Sequence, residues 1–275
     1  MGILKTITDE YFGETVREED EIDIEGLDVE IVSFTDNNGN LHRRGYKPKD
    51  TDNLRKLLER MIGVRGDEGD FNDIDTSDIE DMNSLFEKNK TFNGDITGWN
   101  VSNVENMSYM FLRVKLFNQS IGNWDVSSVK DMSFMFCGAA SFNQPIGDYN
   151  VSNVKYMNYM FDGAKSFNQP IGNWNVSGVK EMNGMFRNAT SFNQPIENWK
   201  FPKVTHMNSM FYNATSFNQP IENWKFPKVK DISWIFAGAK LFNQDLSKWD
   251  ISNIKKKELM FLNCPIKDEY KPKMK

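Results

Sequence analysis

The sequence predicts an α/β solenoid covered at both ends. Three observations carry that prediction. A Phe-Asn pair opens seven copies of a motif, at Phe92, Phe117, Phe142, Phe167, Phe192, Phe217 and Phe242, always 25 residues apart and without insertion. A period in this range belongs to arrays in which each unit packs only on its neighbours. Apolar residues fall at fixed places within the period. Both flanks lack the period and read as covers for the two ends.

The chain divides into residues 1–50 (an acidic segment and a hairpin), 51–70 (a capping helix and loop), 71–264 (the array) and 265–275 (a basic tail). Residues 1–33 hold 11 Asp or Glu against Lys5 and Arg17, the pattern of a solvated segment. Val29 to Phe34 is apolar and β-branched. Asn37-Asn38-Gly39-Asn40 tolerates positive φ, and Leu41 to Tyr46 follows. These spans predict a β-hairpin that covers an edge or holds a partner.

Thr51-Asp52 can cap a helix from Asn53 to Ile62, with Leu54, Leu57, Leu58 and Met61 on one face and Gly63 or Gly66 at its end. An open first coil would show core and unpaired edge to water, so this helix is assigned as the N-terminal cap. Phe71 to Phe86 then reads as a shortened first unit, with Ile79, Met82 and Phe86 placed 25 residues before Val104, Met107 and Phe111.

Counting the Phe of Phe-Asn as position 1, apolar residues occupy positions 1, 5, 8, 10, 13, 16, 19, 20 and 23. Alternation at 8 and 10 predicts a short strand. Recurrence at 13, 16, 20 and 23 predicts a short helix. Position 11 is Ser in most copies, where an N-cap belongs, and Ser102 with Glu105 matches a capping box. Pro202 and Pro227 follow Phe201 and Phe226 in two copies, a residue type accepted in a helix's first turn. Each coil is therefore expected to hold one strand and one helix.

Asn stands at position 2 in every copy, from Asn93 to Asn243. Beside a buried Phe its amide needs partners, which neighbouring coils can supply as a ladder; a turn preference is the other reading. The last copy turns polar at Lys255-Lys256-Lys257, and residues 255–275 hold seven Lys against three acids, which suits a charged C-terminal cap.

The phrase FNQPIGNWNVSNVKxMxxMFxxA resembles the bacterial surface-protein repeat family, a BspA-like, leucine-rich-repeat-like group of largely unknown function. The resemblance covers about 71–264. It implies a right-handed leucine-rich-repeat-like solenoid. It also implies adhesive roles for many members, and related arrays in phages. It brings no catalytic residues.

Composition narrows function further. The formal charge of −6 disfavours nucleic-acid binding. The only histidines are His42 and His206, and the two cysteines, Cys137 and Cys264, have no partner at metal or disulfide spacing. The acidic loop Gly66 to Asp78 lacks the ligand spacing of an EF-hand. No catalytic, cofactor-binding or metal residue is assigned, and an enzyme is not expected. No stretch approaches a membrane span or a signal peptide. A cytoplasmic site or a phage or virus particle is therefore expected, with surface exposure only by non-classical export.

Two variable columns point to partners. Position 18 reads Tyr109, Phe134, Tyr159, Gly184, Ser209, Trp234 and Leu259. Tyr109, Phe134, Tyr159 and Trp234 form a recognition stripe if exposed, or pack flat between coils. FNQPIENWKFPKV occurs at 192–204 and again at 217–229, placing Lys200, Lys203, Lys225 and Lys228 where most other copies carry Asn, Asp or Ser. These lysines are either a solvated face or a dock for an acidic protein, with nucleic acid or lipid as lesser readings. The acidic N-terminal segment and the basic C-terminal end also allow self-assembly. The leading expectation is a non-catalytic protein-interaction or structural module. A phage or virus particle component and a bacterial surface adhesin are the alternatives.

Overall fold

The computed structural model describes residues 22–273 and, ahead of them, the backbone of two short antiparallel strands, β1 (Ile7–Thr8) and β2 (Thr15–Val16). The rest of residues 1–21, which carry much of the acidic run, and residues 274–275 of the tail lie outside the described residues.

The expected hairpin is present as β3 (Val29–Thr35) and β4 (Leu41–Pro48), paired antiparallel with an irregularity between Val32 and Phe34. Asp36 organises its turn. Its buried carboxylate accepts from the backbone N–H groups of Asn38 and Asn40, at 2.9 and 2.8 Å, and lies 3.0 Å from His42 Nε2. β4 also forms the first rung of the array. Tyr46 N–H donates to Asp73 O, and Asp75 N–H donates to Tyr46 O.

Helix α1 (Thr51–Arg65) starts two residues before the predicted span and ends at Gly66. The Asp50 carboxylate, rather than Thr51, caps it by accepting from Asn53 N–H. Leu54, Leu57, Leu58 and Met61 are buried, as the spacing predicts. The helix covers the first coil and also bonds to it. Thr51 Oγ1 donates to Asp81 O, and Arg55 Nη2 donates to Asn83 O at 3.0 Å.

From Phe71 on, the coils stack in register. Isolated parallel bridges link position 15 of one coil to position 15 of the next, from Asp81–Asn106 through to Asp231–Lys256. The strand expected at positions 8 and 10 is therefore not where the chains pair. The short helix is also absent: among the described residues α1 is the only α-helix, with 3-10 turns at Val176–Gly178 and Asp268–Tyr270.

Consecutive β-turns take the helix's place. Met110 N–H bonds Met107 O, Leu112 N–H bonds Tyr109 O and Val114 N–H bonds Phe111 O. Positions 18 and 22 have positive φ in every full coil, as at Tyr109 (61°) and Asn188 (55°). A left-handed residue cannot continue an α-helix. Successive turns return the chain to the same face every three or four residues, which is the spacing that imitated a helix. At position 22 the sequence supplies Gly or Asn in every full coil but one, where Arg113 stands at 61°. Ser at position 11 is no N-cap either. Its N–H donates to the Asx side chain at position 9, as Ser102 does to Asn100.

The turns free alternate N–H groups for the next coil. Met107, Tyr109, Phe111 and Arg113 donate to Asp131, Ser133, Met135 and Cys137 O, at 2.7 to 2.9 Å. The same four positions repeat this at every later junction, ending with Ile232, Trp234, Phe236 and Gly238 donating to Lys256, Glu258, Met260 and Leu262.

Two columns of phenylalanine fill the core. Phe111 and Phe136 represent position 20, with centroids 5.5 Å apart, and Phe117 and Phe142 represent position 1, at 6.0 Å. The columns touch where Phe111 stacks on Phe117 at 3.9 Å. The Asn ladder at position 2 forms as expected. Asn143 N–H donates to Asn118 Oδ1, and Asn168 N–H donates to Asn143 Oδ1, each at 2.9 Å. At position 8 Trp174 Nε1 donates to Ile146 O, and Tyr149 reaches the equivalent Ile121 O with its hydroxyl.

Candidate functional site

Lys200, Lys203, Lys225 and Lys228 are all exposed. The bridges Glu181–His206 and His206–Asp231 set equal positions side by side. Lys200 therefore precedes Lys225 by one coil, and Lys203 precedes Lys228, at a strand-like step of about 4.8 Å. Position 13, next after Lys203 and Lys228, is a buried valine, Val204 or Val229, which turns its neighbours outward.

Position 14 adds Lys130, Lys155, Lys180 and Lys230, which carry no motif, and Lys255 of the polar last copy. Each N–H in this column bonds the carbonyl of the same position one coil earlier, as Lys180 does to Lys155. Lys155 leans toward the following coil: a Cβ on Gly178 would sit 3.4 Å from its Nζ. The same step relates Lys180 to Lys203. Reading the repeat down its columns, rather than along one copy, is the signal that reveals this row. Glu105 neutralises its first member, Lys130, at 2.5 Å.

The aromatic column is partly covered. Tyr109 stacks on Phe134 at 4.7 Å and Phe134 on Tyr159 at 4.9 Å, all three half-buried. The stack ends on Gly184. Trp234 stands apart, half-buried and tilted against Tyr212 at 6.1 Å. The flat packing between coils is thus the arrangement present, and only three of the four rings form one stack.

A shallow groove of about 750 Å³ runs along the array over positions 22 and 24, floored by small residues such as Gly138, Gly163 and Thr190 and edged by Lys115, Lys165 and Lys240.

Cys137 and Cys264 are free thiols. Burial, with Asp162 nearby, pushes Cys137 up to about 11 against the pull of Arg113 and Arg187. The acidic loop is engaged by cations of the chain: Arg65 forks onto Asp73 at 2.7 Å, and Lys47 reaches Asp78 at 2.9 Å. Among the described residues no group of three or more His, Cys, Asp or Glu side chains is placed to hold a metal ion. Among them, too, no helix is long and apolar enough to cross a membrane.

The profile of one family, described as Mycoplasma protein of unknown function, DUF285, matches three overlapping spans: 53–174, 117–219 and 160–270. The chain belongs to that family. Each matched span is longer than four coils, so the family unit is a group of coils. As a DUF285 member the protein is a repeat protein, and the family brings no activity with it. No curated protein and no solved structure matches the chain.

Proposed function

We propose that the protein is a non-catalytic interaction module whose coil stack, a solenoid, presents lysine rows to an acidic surface on a partner protein. The observation that carries this reading is the register of Lys200 with Lys225 and of Lys203 with Lys228, flanked by Lys180 and Lys230. Ordinary surface lysines are scattered. These stand at one repeated spacing on a rigid lattice, so several can engage one partner without the partner ordering them first. A clustered basic field on an acidic protein also steers an acidic partner to one face. The resemblance of the repeat to bacterial surface-protein repeats fits a binding role of this kind.

Zero-length cross-linking of amines to carboxylates in the source cells tests the proposal. The expected result is a set of cross-links that joins Lys200, Lys203, Lys225 and Lys228 to carboxylates of one protein. That set should vanish when the four are changed to Glu. Cross-links spread evenly over all exposed lysines would overturn the reading.

A further inference from the structure

The bonds between coils all run one way at positions 16, 18, 20 and 22. The four peptide units there point their N–H groups toward the C-terminal end and their carbonyls toward the N-terminal end, junction after junction. Aligned peptides of this kind act as the peptides of a helix do, leaving partial positive charge where the donors end.

The two ends of this ladder are finished differently. At the N-terminal end α1 supplies donors to the leading carbonyls, from Thr51 to Asp81 and from Arg55 to Asn83. At the C-terminal end the donors would be Lys257, Leu259, Phe261 and Asn263, and none of these N–H groups meets an acceptor among the described residues. The tail packs elsewhere, where Leu246 N–H donates to Tyr270 O and Lys267 N–H to Asn243 Oδ1. The same face is apolar and net basic, with three lysines at 255–257 against the exposed Glu258. Leu259 is 49% exposed and Leu262 42%, Phe261 is half-buried where every earlier ring of its column is fully buried, and Lys255 and Lys256 are exposed beside them.

We propose that this end face receives the acidic N-terminal segment, residues 9–21, of a second copy, so that copies join head to tail. A face that offers donors without acceptors calls for acceptors without donors, which carboxylates are. DEYFGETVREEDE brings seven carboxylates against Arg17, and Tyr11, Phe12 and Val16 supply apolar cover for the exposed leucines. The first coil of a second copy is a poor occupant, because α1 covers it and already donates to two of its four leading carbonyls, Asp81 O and Asn83 O. Docking within one chain is disfavoured by length. Ile22 is held against Tyr46 at the N-terminal end. Seven coil steps of about 4.8 Å would consume most of the roughly 44 Å that residues 9–21 can span. The contact is heterologous and does not close on itself, so it builds chains of copies. It uses a surface separate from the lysine rows at 200–228, and so stands or falls independently of the reading above.

Sedimentation velocity of the full chain, at rising concentration and at about 0.05 M and 0.5 M salt, tests this. Association beyond a dimer at low salt, weakened by high salt, is expected. Removal of residues 1–21 should abolish it. A full-length Lys255→Glu, Lys256→Glu variant, changed only at exposed positions, should weaken it about ten-fold or more. A synthetic peptide of residues 9–21 should cap growth. A full chain that stays monomeric at low salt overturns the proposal, as does a truncated chain that associates as strongly as the full one.

Discussion

Tyr159 Cε1 lies 2.3 Å from the point where a Cβ on Gly184 would sit. The aromatic column from Tyr109 therefore ends on a backbone surface, and Gly184, at φ 56°, leaves room for the last ring. Gly184→Ala is expected to displace the Tyr159 ring and destabilise the array by about 1–3 kcal/mol. Urea unfolding of Gly184→Ala alone and in a Tyr159→Ala background checks it, since the loss should shrink once the ring is gone.

Asn143 serves two neighbours at once, accepting from Asn168 N–H at 2.9 Å and from Gln169 Nε2 at 3.1 Å through its side-chain oxygen. Asn143→Ala leaves a part-buried backbone donor unpaired and should cost about 1–3 kcal/mol. Asn243→Ala, whose oxygen serves only the exposed Lys267 N–H, should cost less. Comparing the two denaturation midpoints decides between a ladder and a simple turn preference.

Trp124 breaks the rule of its column. Its buried Nε1 has no partner among the described residues, whereas Trp174, Trp199, Trp224 and Trp249 each donate to a carbonyl of the preceding coil. Trp174→Phe should therefore destabilise by about 0.5–1.5 kcal/mol more than Trp124→Phe, the net worth of one such bond. Thermal unfolding of both variants is the measurement.

Cys137 should be a poor nucleophile. Its thiol, pushed up to about 11 by burial and by Asp162, stays protonated at pH 8. Alkylation by iodoacetamide should be slow there relative to the urea-unfolded chain and should keep accelerating as pH approaches 11. A plateau reached near pH 9 would contradict the burial seen at this position.

Acid should open the hairpin turn locally. Burial acts to raise Asp36, but the donors from His42, Asn40 and Asn38 outweigh it and hold the carboxyl below its usual value. A depressed carboxylate contributes stability that is fully present above its unfolded value of about 3.9 and is lost as pH falls through the lower folded one. Hydrogen exchange at the Asn38 and Asn40 amides should accelerate below that range. Asp36→Asn should remove most of the dependence.

The period, the hairpin, α1 with its buried face and the Asn ladder were all legible in the residues, because each rests on a local pattern or on strict repetition. The interior of the coil differs from its pattern for a specific reason. Buried residues at positions 13, 16, 20 and 23 arise equally from a helix and from a chain of four-residue turns, and only backbone dihedrals separate the two. A hint was present at position 22, where Gly138, Gly163, Asn188, Asn213 and Gly238 are residues that favour positive φ. Position 18 gave the opposite hint, since Tyr109, Phe134 and Trp234 are poor choices for that conformation. Coil stacking overrides their preference. The proposed lysine face was half legible: the duplicated segment drew attention to Lys200, Lys203, Lys225 and Lys228. The position-14 row spans five separate copies and becomes visible only when coils are laid side by side.

Because each coil takes its neighbour's carbonyls at the same four positions, any interior unit can be copied or deleted whole without leaving a mismatched bond. The identical stretches at 192–204 and 217–229 are what such an event leaves behind. Insertions of any other length would put alternate residues out of phase along the ladder. The molecule's reach is thus adjustable in fixed increments, like links in a measuring chain, with each copied unit free to diverge at its outward positions while the interior stays the same.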